Sequence, residues 1–214
     1  MTAKSISNPD LLMVLDEDTQ EICHGCNQKW YTTMWRRLSG CGPTVAANLI
    51  FYLYQTHFTA RLREKSLTKK NCIKLMDDIW KFVTPTISGV SNTKMFYEAV
   101  LSYAKSEGLN IACEFLDLPK HKSGRPGFSE VLIFLENALR KDAPVAFLNL
   151  CNGAEKSLEE WHWVTIISLE VIEEQTQVFV DILDDGQIAK IDLSLWYNTT
   201  IRGGGFVYFT PSPP

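Results

Sequence analysis

The spacing of apolar positions changes character partway along the chain. Val45, Ala46, Leu49, Ile50 and Leu53 lie three or four apart and predict a helix over 43–57. Cys72, Ile73, Met76, Ile79, Trp80 and Val83 keep the same period ahead of Pro85 and predict a second helix over 66–83. Met95, Phe96, Ala99, Val100 and Tyr103 predict a third over 92–107, closed by Gly108. A short strand over 111–116 follows, then a basic, turn-rich loop over 119–127 and a fourth helix over 128–140. From Pro144 onward the apolar runs are short and rich in Val, Ile, Phe and Tyr. They predict strands over 145–150, 162–171, 177–183, 187–193 and 206–209. Asp184-Asp185-Gly186 is the turn of a hairpin between two of these strands. Gly203-Gly204-Gly205 is a flexible connection. Helices first and an antiparallel sheet second make an α+β arrangement.

A chain of 214 residues is long enough to bury a real core. One domain over 1–214 is expected: an N-terminal extension over 1–26, a mostly helical lobe over 27–142 and an antiparallel sheet lobe over 143–210. Apolar residues at 45% and charged residues at 21% are the balance of a soluble globular protein. A net charge of −4 without a dense basic patch speaks against nucleic acid as a partner. Lys65, Lys69, Lys70 and Lys74 read as a solvated helix face. No apolar run approaches the roughly 20 residues of a membrane span. The run 11–15 is too short for a signal-peptide core. A cytoplasmic location is therefore expected, and the pattern leaves the oligomeric state open.

In such a chain the six cysteines, Cys23, Cys26, Cys41, Cys72, Cys113 and Cys151, read as free thiols. Cys23-His24-Gly25-Cys26 lacks the second pair that a zinc site needs and the helix-opening context of a redox motif. No metal or cofactor is expected. Cys41 stands apart, between glycines in Ser39-Gly40-Cys41-Gly42-Pro43-Thr44, where a loop becomes a helix. Pro43 suits the first helical position. A thiol there meets unpaired N–H groups at the positive end of the helix dipole, which favours the nucleophilic thiolate. The glycines leave room for a substrate backbone.

A cysteine nucleophile needs a base and a group that orients the base. Of the four histidines, His24 and His121 lie in loop-like stretches, and His57 lies about four turns along the Cys41 helix. His162 opens the strongest strand, Trp161-His162-Trp163-Val164-Thr165, from which it can point past the sheet edge toward a helix N-terminus. Asp181 interrupts the apolar run Val178-Phe179-Val180-Asp181-Ile182-Leu183 on the next strand, where a charge calls for a partner. Asp184, Asp185 and Asp192 compete with it, though turn or edge positions explain each of them.

Gly-Cys-Gly-Pro-Thr at a helix start, His-Trp-Val opening a strand and Val-Asp in the next resemble the papain-like fold, and within it the double-glycine leader peptidase-like group (peptidase C39-like). The resemblance spans roughly 27–210 and is concentrated in the Cys41 and His162 segments. Phytochelatin-synthase-like transpeptidases carry a similar cysteine segment. The resemblance implies a cysteine peptidase or amidase acting on a peptide or amide through a thioester. Cys41 would be nucleophile, His162 base then acid, and Asp181 the orienter. It also implies an oxyanion hole made by the Cys41 N–H and an upstream amide. Many relatives carry a glutamine six residues before the cysteine, where this chain has Trp35. Gln28, in Asn27-Gln28-Lys29-Trp30, resembles the more distant glutamine of the leader-peptidase-like group, with Asn27 as the fallback. The family's aspartate is often followed by proline, and here Ile182 follows Asp181. Two other readings stay open: a peptidase-like module that binds peptides without cutting them, and a transpeptidase or acyltransferase of the same fold.

Overall fold

The computed structural model describes residues 2–58, 67–172 and 177–212. In chain order its elements are β1 (Thr2–Ser5), β2 (Met13–Leu15), β3 (Ile22–His24), α1 (Met34–Ser39), α2 (Cys41–Thr56), α3 (Lys69–Trp80) and α4 (Thr93–Ser106). There follow β4 (Ile111–Leu118), α5 (Phe128–Arg140), β5 (Val145–Asn149), β6 (His162–Ile172), β7 (Gln177–Asp184), β8 (Gln187–Asp192), α6 (Leu193–Thr199) and β9 (Gly204–Pro211). The α+β arrangement is as expected. A seven-stranded antiparallel sheet runs β4-β9-β5-β6-β7-β8, with β1 added to the far half of β6.

The centre of the fold is α2, buried from Cys41 to Leu53. A helix apolar on all sides belongs inside, and α2 packs against β6 on one flank and α3 on the other. It starts two residues earlier than the apolar spacing indicates. Pro43 is its third residue, where the N–H is still one of the unpaired donors of a helix start. The short α1 runs directly into it through Gly40. A side chain at Gly40 would run into the Arg36 carbonyl and meet the Tyr31 ring at 2.6 Å, and one at Gly42 would meet Val90 at 2.8 Å. The space beside these glycines is filled by the protein, so the expectation that it admits a substrate backbone is corrected.

Residues 2–24, expected as an extension, supply β1 to the main sheet and form the β2-β3 hairpin. Helix α1 falls in a stretch with no sustained period and α6 is only seven residues long, so neither is visible in the apolar pattern. Thr68 caps α3, which begins at Lys69; Lys65 and the predicted start at 66 lie outside the described residues. Lys69 bonds Asp16 and Asp18, and the Lys70 N–H donates to Glu17. The Lys69 side chain is therefore docked on the acidic N-terminal turn, while those of Lys70 and Lys74 are exposed as expected. Between β7 and β8 the predicted turn forms as a two-residue loop, with Asp185 at φ 48° and Gly186 at φ 80°. Both left-handed residues match the twist of the strands they join.

Candidate active site

Cys41 is the first residue of α2 and the floor of two adjoining hollows. Only 9% of its surface is exposed. On one side lies a small pocket shared with Gln28, Asn48, His162 and Asp184. On the other opens a cleft of about 440 Å³ between α1, the 87–91 loop and the Trp161 corner.

His162 is buried at the start of β6 and faces the α2 N-terminus. Its Nε2 meets Asp184 Oδ1 at 2.7 Å. Cys41 lines the same pocket and acts on the ring electrostatically. With Nε2 taken by the carboxylate, Nδ1 is the nitrogen left for the thiol. Burial on its own would push the imidazole's pKa down. The Asp184 carboxylate and Cys41 more than offset that, and the ring is held up at about 10. It is therefore an imidazolium at neutral pH, flanked by a sulfur and a carboxylate.

The structure brings Asp184, not Asp181, to His162. Asp181 pairs across the strands with Ser168, whose hydroxyl donates to Oδ2 at 2.6 Å, and sits opposite Lys190 on β8. Those two partners explain a charge inside an apolar strand. Ser168 lies six residues beyond His162, about 20 Å along a strand. The register sets Leu183 opposite Thr165, with Asp184 next toward the turn, diagonal to His162 on one face. The strand bounds already held this signal. A hairpin joining 171 to 177 sets residues near 186 opposite 162.

Gln28 opens a single 3-10 turn, Gln28–Trp30, and its buried Oε1 has no hydrogen-bond partner. An orphaned buried amide beside the thiol calls for an explanation, and a half-turn of the amide presents its N–H₂ to the same pocket. Asn27, the fallback, is committed elsewhere. Its Nδ2 donates to the Asp185 carbonyl at 2.6 Å, and its Oδ1 accepts from Lys29 N at 2.8 Å. Lys29 in turn pairs with Asp185 at 2.7 Å. One hairpin turn thus carries the partner of His162 and clamps the segment that carries Gln28. Asn48 completes the support from α2: its Oδ1 accepts from Cys26 N at 2.8 Å and its Nδ2 donates to Thr165 Oγ1 at 3.1 Å. Asn48 escapes a sequence reading because a polar residue in an apolar helix names no partner.

Trp35 lies on α1, on the cleft side of Cys41, half-exposed. Trp161 also lines the cleft, at φ 57°, with the Arg202 guanidinium 4.9 Å from its ring centre. Trp163 is buried, stacked on Phe96, and its Nε1 donates to the Val90 carbonyl at 2.7 Å, pinning the 87–91 loop. Trp196 is core, wedged against Phe147 and Phe206. His24 lies on β3, His57 ends α2, and His121 precedes a short 3-10 turn; the Cys41 pocket is lined by none of them. Cys23 and Cys26 do not act as a pair. Cys26 Sγ lies 2.7 Å from Cys72 Sγ, and burial pushes the Cys72 thiol well up, so it stays protonated. Among the described residues no three His, Cys, Asp or Glu side chains converge as metal ligands, and no helix is long and apolar enough to cross a membrane.

No protein-family model matches the chain, and no curated protein matches its sequence. Solved structures do match in shape. The crystal structure of UfSP from C. elegans, a papain-like cysteine protease, superposes with a TM-score of 0.51 at 12% identity. The match covers 99% of this chain and 34% of that one, so this chain spans about a third of its length. The fold is papain-like.

Proposed function

We propose that this protein is a cysteine peptidase or amidase working through Cys41, His162 and Asp184, with Gln28 completing the oxyanion hole. The observation that carries the reading is the position of His162, in one pocket with Cys41 and bonded at 2.7 Å to Asp184. A module that only gripped peptides has no use for a buried cation shared between a thiol and a carboxylate. Within the papain-like fold, the Gly-Cys-Gly-Pro-Thr and His-Trp-Val strings support membership of the double-glycine leader peptidase-like group. Six free cysteines support a reducing, cytoplasmic setting.

The Cys41 sulfur attacks the scissile carbonyl carbon, and the oxygen's charge is taken by the Cys41 N–H and the Gln28 amide. His162 gives its proton to the leaving amine as the C–N bond breaks, which leaves a thioester on Cys41. The neutral imidazole then takes a proton from an entering water, which displaces the sulfur and releases the acid. Asp184 keeps the ring turned and its charge stabilised through both halves.

Iodoacetamide tests the reading directly. At neutral pH it is expected to modify Cys41 ahead of the other five cysteines, as read by intact mass and peptide mapping. Equal labelling of Cys41 in native and His162→Ala protein would sink the activated pair. Gln28→Ala is expected to cost about 10²–10³ in kcat with little change in KM, the usual cost of one oxyanion donor. Steady-state kinetics on a cleaved peptide measure it, and an unchanged kcat would remove Gln28 from the hole.

A further inference from the structure

Asn27 joins two segments that lie 158 residues apart in the chain. Its one amide bonds both. Oδ1 accepts from the Lys29 N–H at 2.8 Å and so caps the 3-10 turn Gln28–Trp30. Nδ2 donates to the Asp185 carbonyl at 2.6 Å, in the turn that follows Asp184. That turn fits closely around it. A side chain at Gly186 would come within 3.2 Å of Asn27 Nδ2 and 3.4 Å of Cys23 Cβ. Just upstream, the His24 N–H donates to the Gly186 carbonyl at 2.7 Å. The Lys29–Asp185 ion pair lies over the same contact, but the Lys29 side chain is 68% exposed, and an ion pair in water holds little. The part-buried amide of Asn27 is the firmer link.

The two segments differ in stiffness. On the hairpin side, β7 and β8 pair without a break from Phe179 and Asp192 to Asp184 and Gln187, and β6 pairs along the other edge of β7. On the other side is a single turn, whose own backbone bonds run from Trp30 N to the Asn27 carbonyl at 3.1 Å and from Tyr31 N to the Gln28 carbonyl at 3.2 Å. Such short turns belong to the least stable parts of a fold. The sheet is therefore the fixed partner, and Gln28 is what is held. We propose that Asn27 is a positioning residue: by tying its turn to the Asp185 carbonyl it sets the Gln28 amide beside Cys41, and so keeps the oxyanion hole in register with the hairpin that supplies Asp184. The inference rests on the peptidase reading, since an oxyanion hole acts only where a carbonyl is attacked. Misplacing a reacting group by about 1 Å costs about 10²-fold in rate. The shift on losing the Asn27 link is limited, because the Cys26 N–H stays bonded to Asn48 one residue upstream.

Asn27→Asp separates the link from the cap. It keeps the shape and the oxygen that accepts from Lys29, and it puts a second oxygen where Nδ2 donates. On a fluorogenic peptide amide found by library screening, kcat is expected to fall about 10- to 100-fold with KM unchanged, because the held donor acts only as the oxyanion forms. Asn27→Ala, which loses both bonds, is expected to fall at least as far; should it fail to fold, the isosteric Asp variant carries the test. In a Gln28→Ala background Asn27→Asp is expected to cost nothing further, and in an Asp184→Asn background its full factor. A native kcat in Asn27→Asp would leave Asn27 an ordinary cap and overturn its role. So would an undiminished loss in the Gln28→Ala background, a rise in KM alone, or iodoacetamide labelling of Cys41 slowed as much as kcat, which would place the damage on the thiol itself. Each of these leaves the peptidase reading in place. A native protein that cleaves no member of the library sinks that reading, and the role of Asn27 with it.

Discussion

His162→Ala is expected to lower the kcat of peptide cleavage by about 10⁴–10⁶, close to the effect of removing the nucleophile itself. The magnitude follows from how much passes through one ring. In the mechanism proposed above, His162 holds the proton that the leaving amine needs in the first half and is the base that activates water in the second. It also shares one pocket with Cys41 and holds Asp184 at 2.7 Å. Without it the leaving amine departs unprotonated, and the carboxylate has nothing to orient. The residual rate would come from the oxyanion donors and from substrate binding alone. Single-turnover cleavage, with Cys41→Ala as the floor, measures the loss. A variant retaining a tenth of the activity would show that the His162–Asp184 pair is structural and that another group carries the proton.

Much of this site is written in the chain, and the part that is not has a definite cause. Cys41 is legible because helix period, flanking glycines and Pro43 converge on one position. His162 is legible because a histidine that opens a long apolar run has few other uses. Gln28 stands out only through resemblance to a family; residue type alone does not separate it from Asn27, and only the bonds of Asn27 to Asp185 and Lys29 do. The orienting acid is where pattern and geometry part. A charge inside an apolar strand draws attention to Asp181, whereas a charge in a turn looks ordinary. Strand register decides between them, and register depends on the pairing of β6 with β7 and on the bulge between Ile166 and Ser168. Strand bounds read from apolar spacing give the approximate pairing but not the bulge. The same limit hides β1, whose four residues have meaning only beside β6.

Asp184→Asn separates the two aspartates and reads the electrostatics of the site at the same time. The variant is expected to lose about 10²–10⁴ in kcat, because the amide can hold the ring but cannot stabilise its charge. Asp181→Asn should stay within a few-fold of the native protein, since its partners are Ser168 and Lys190, away from the pocket. The pH profiles carry the sharper contrast. In the native protein His162 keeps its proton up to about pH 10, so the alkaline limb of kcat/KM should fall there. Without the Asp184 charge, the downward push of burial is opposed by Cys41 alone, and the limb moves to lower pH. Stability follows with a defined sign. The imidazole's pKa is raised in the folded state, from an unfolded value near 6.5 to about 10. Its contribution is therefore complete below about pH 6.5 and is lost as pH climbs through about 10. Thermal midpoints of the native protein should decline across that window more steeply than those of Asp184→Asn. Parallel melting curves, or an alkaline limb that does not move, would mean that Asp184 touches His162 without setting its charge.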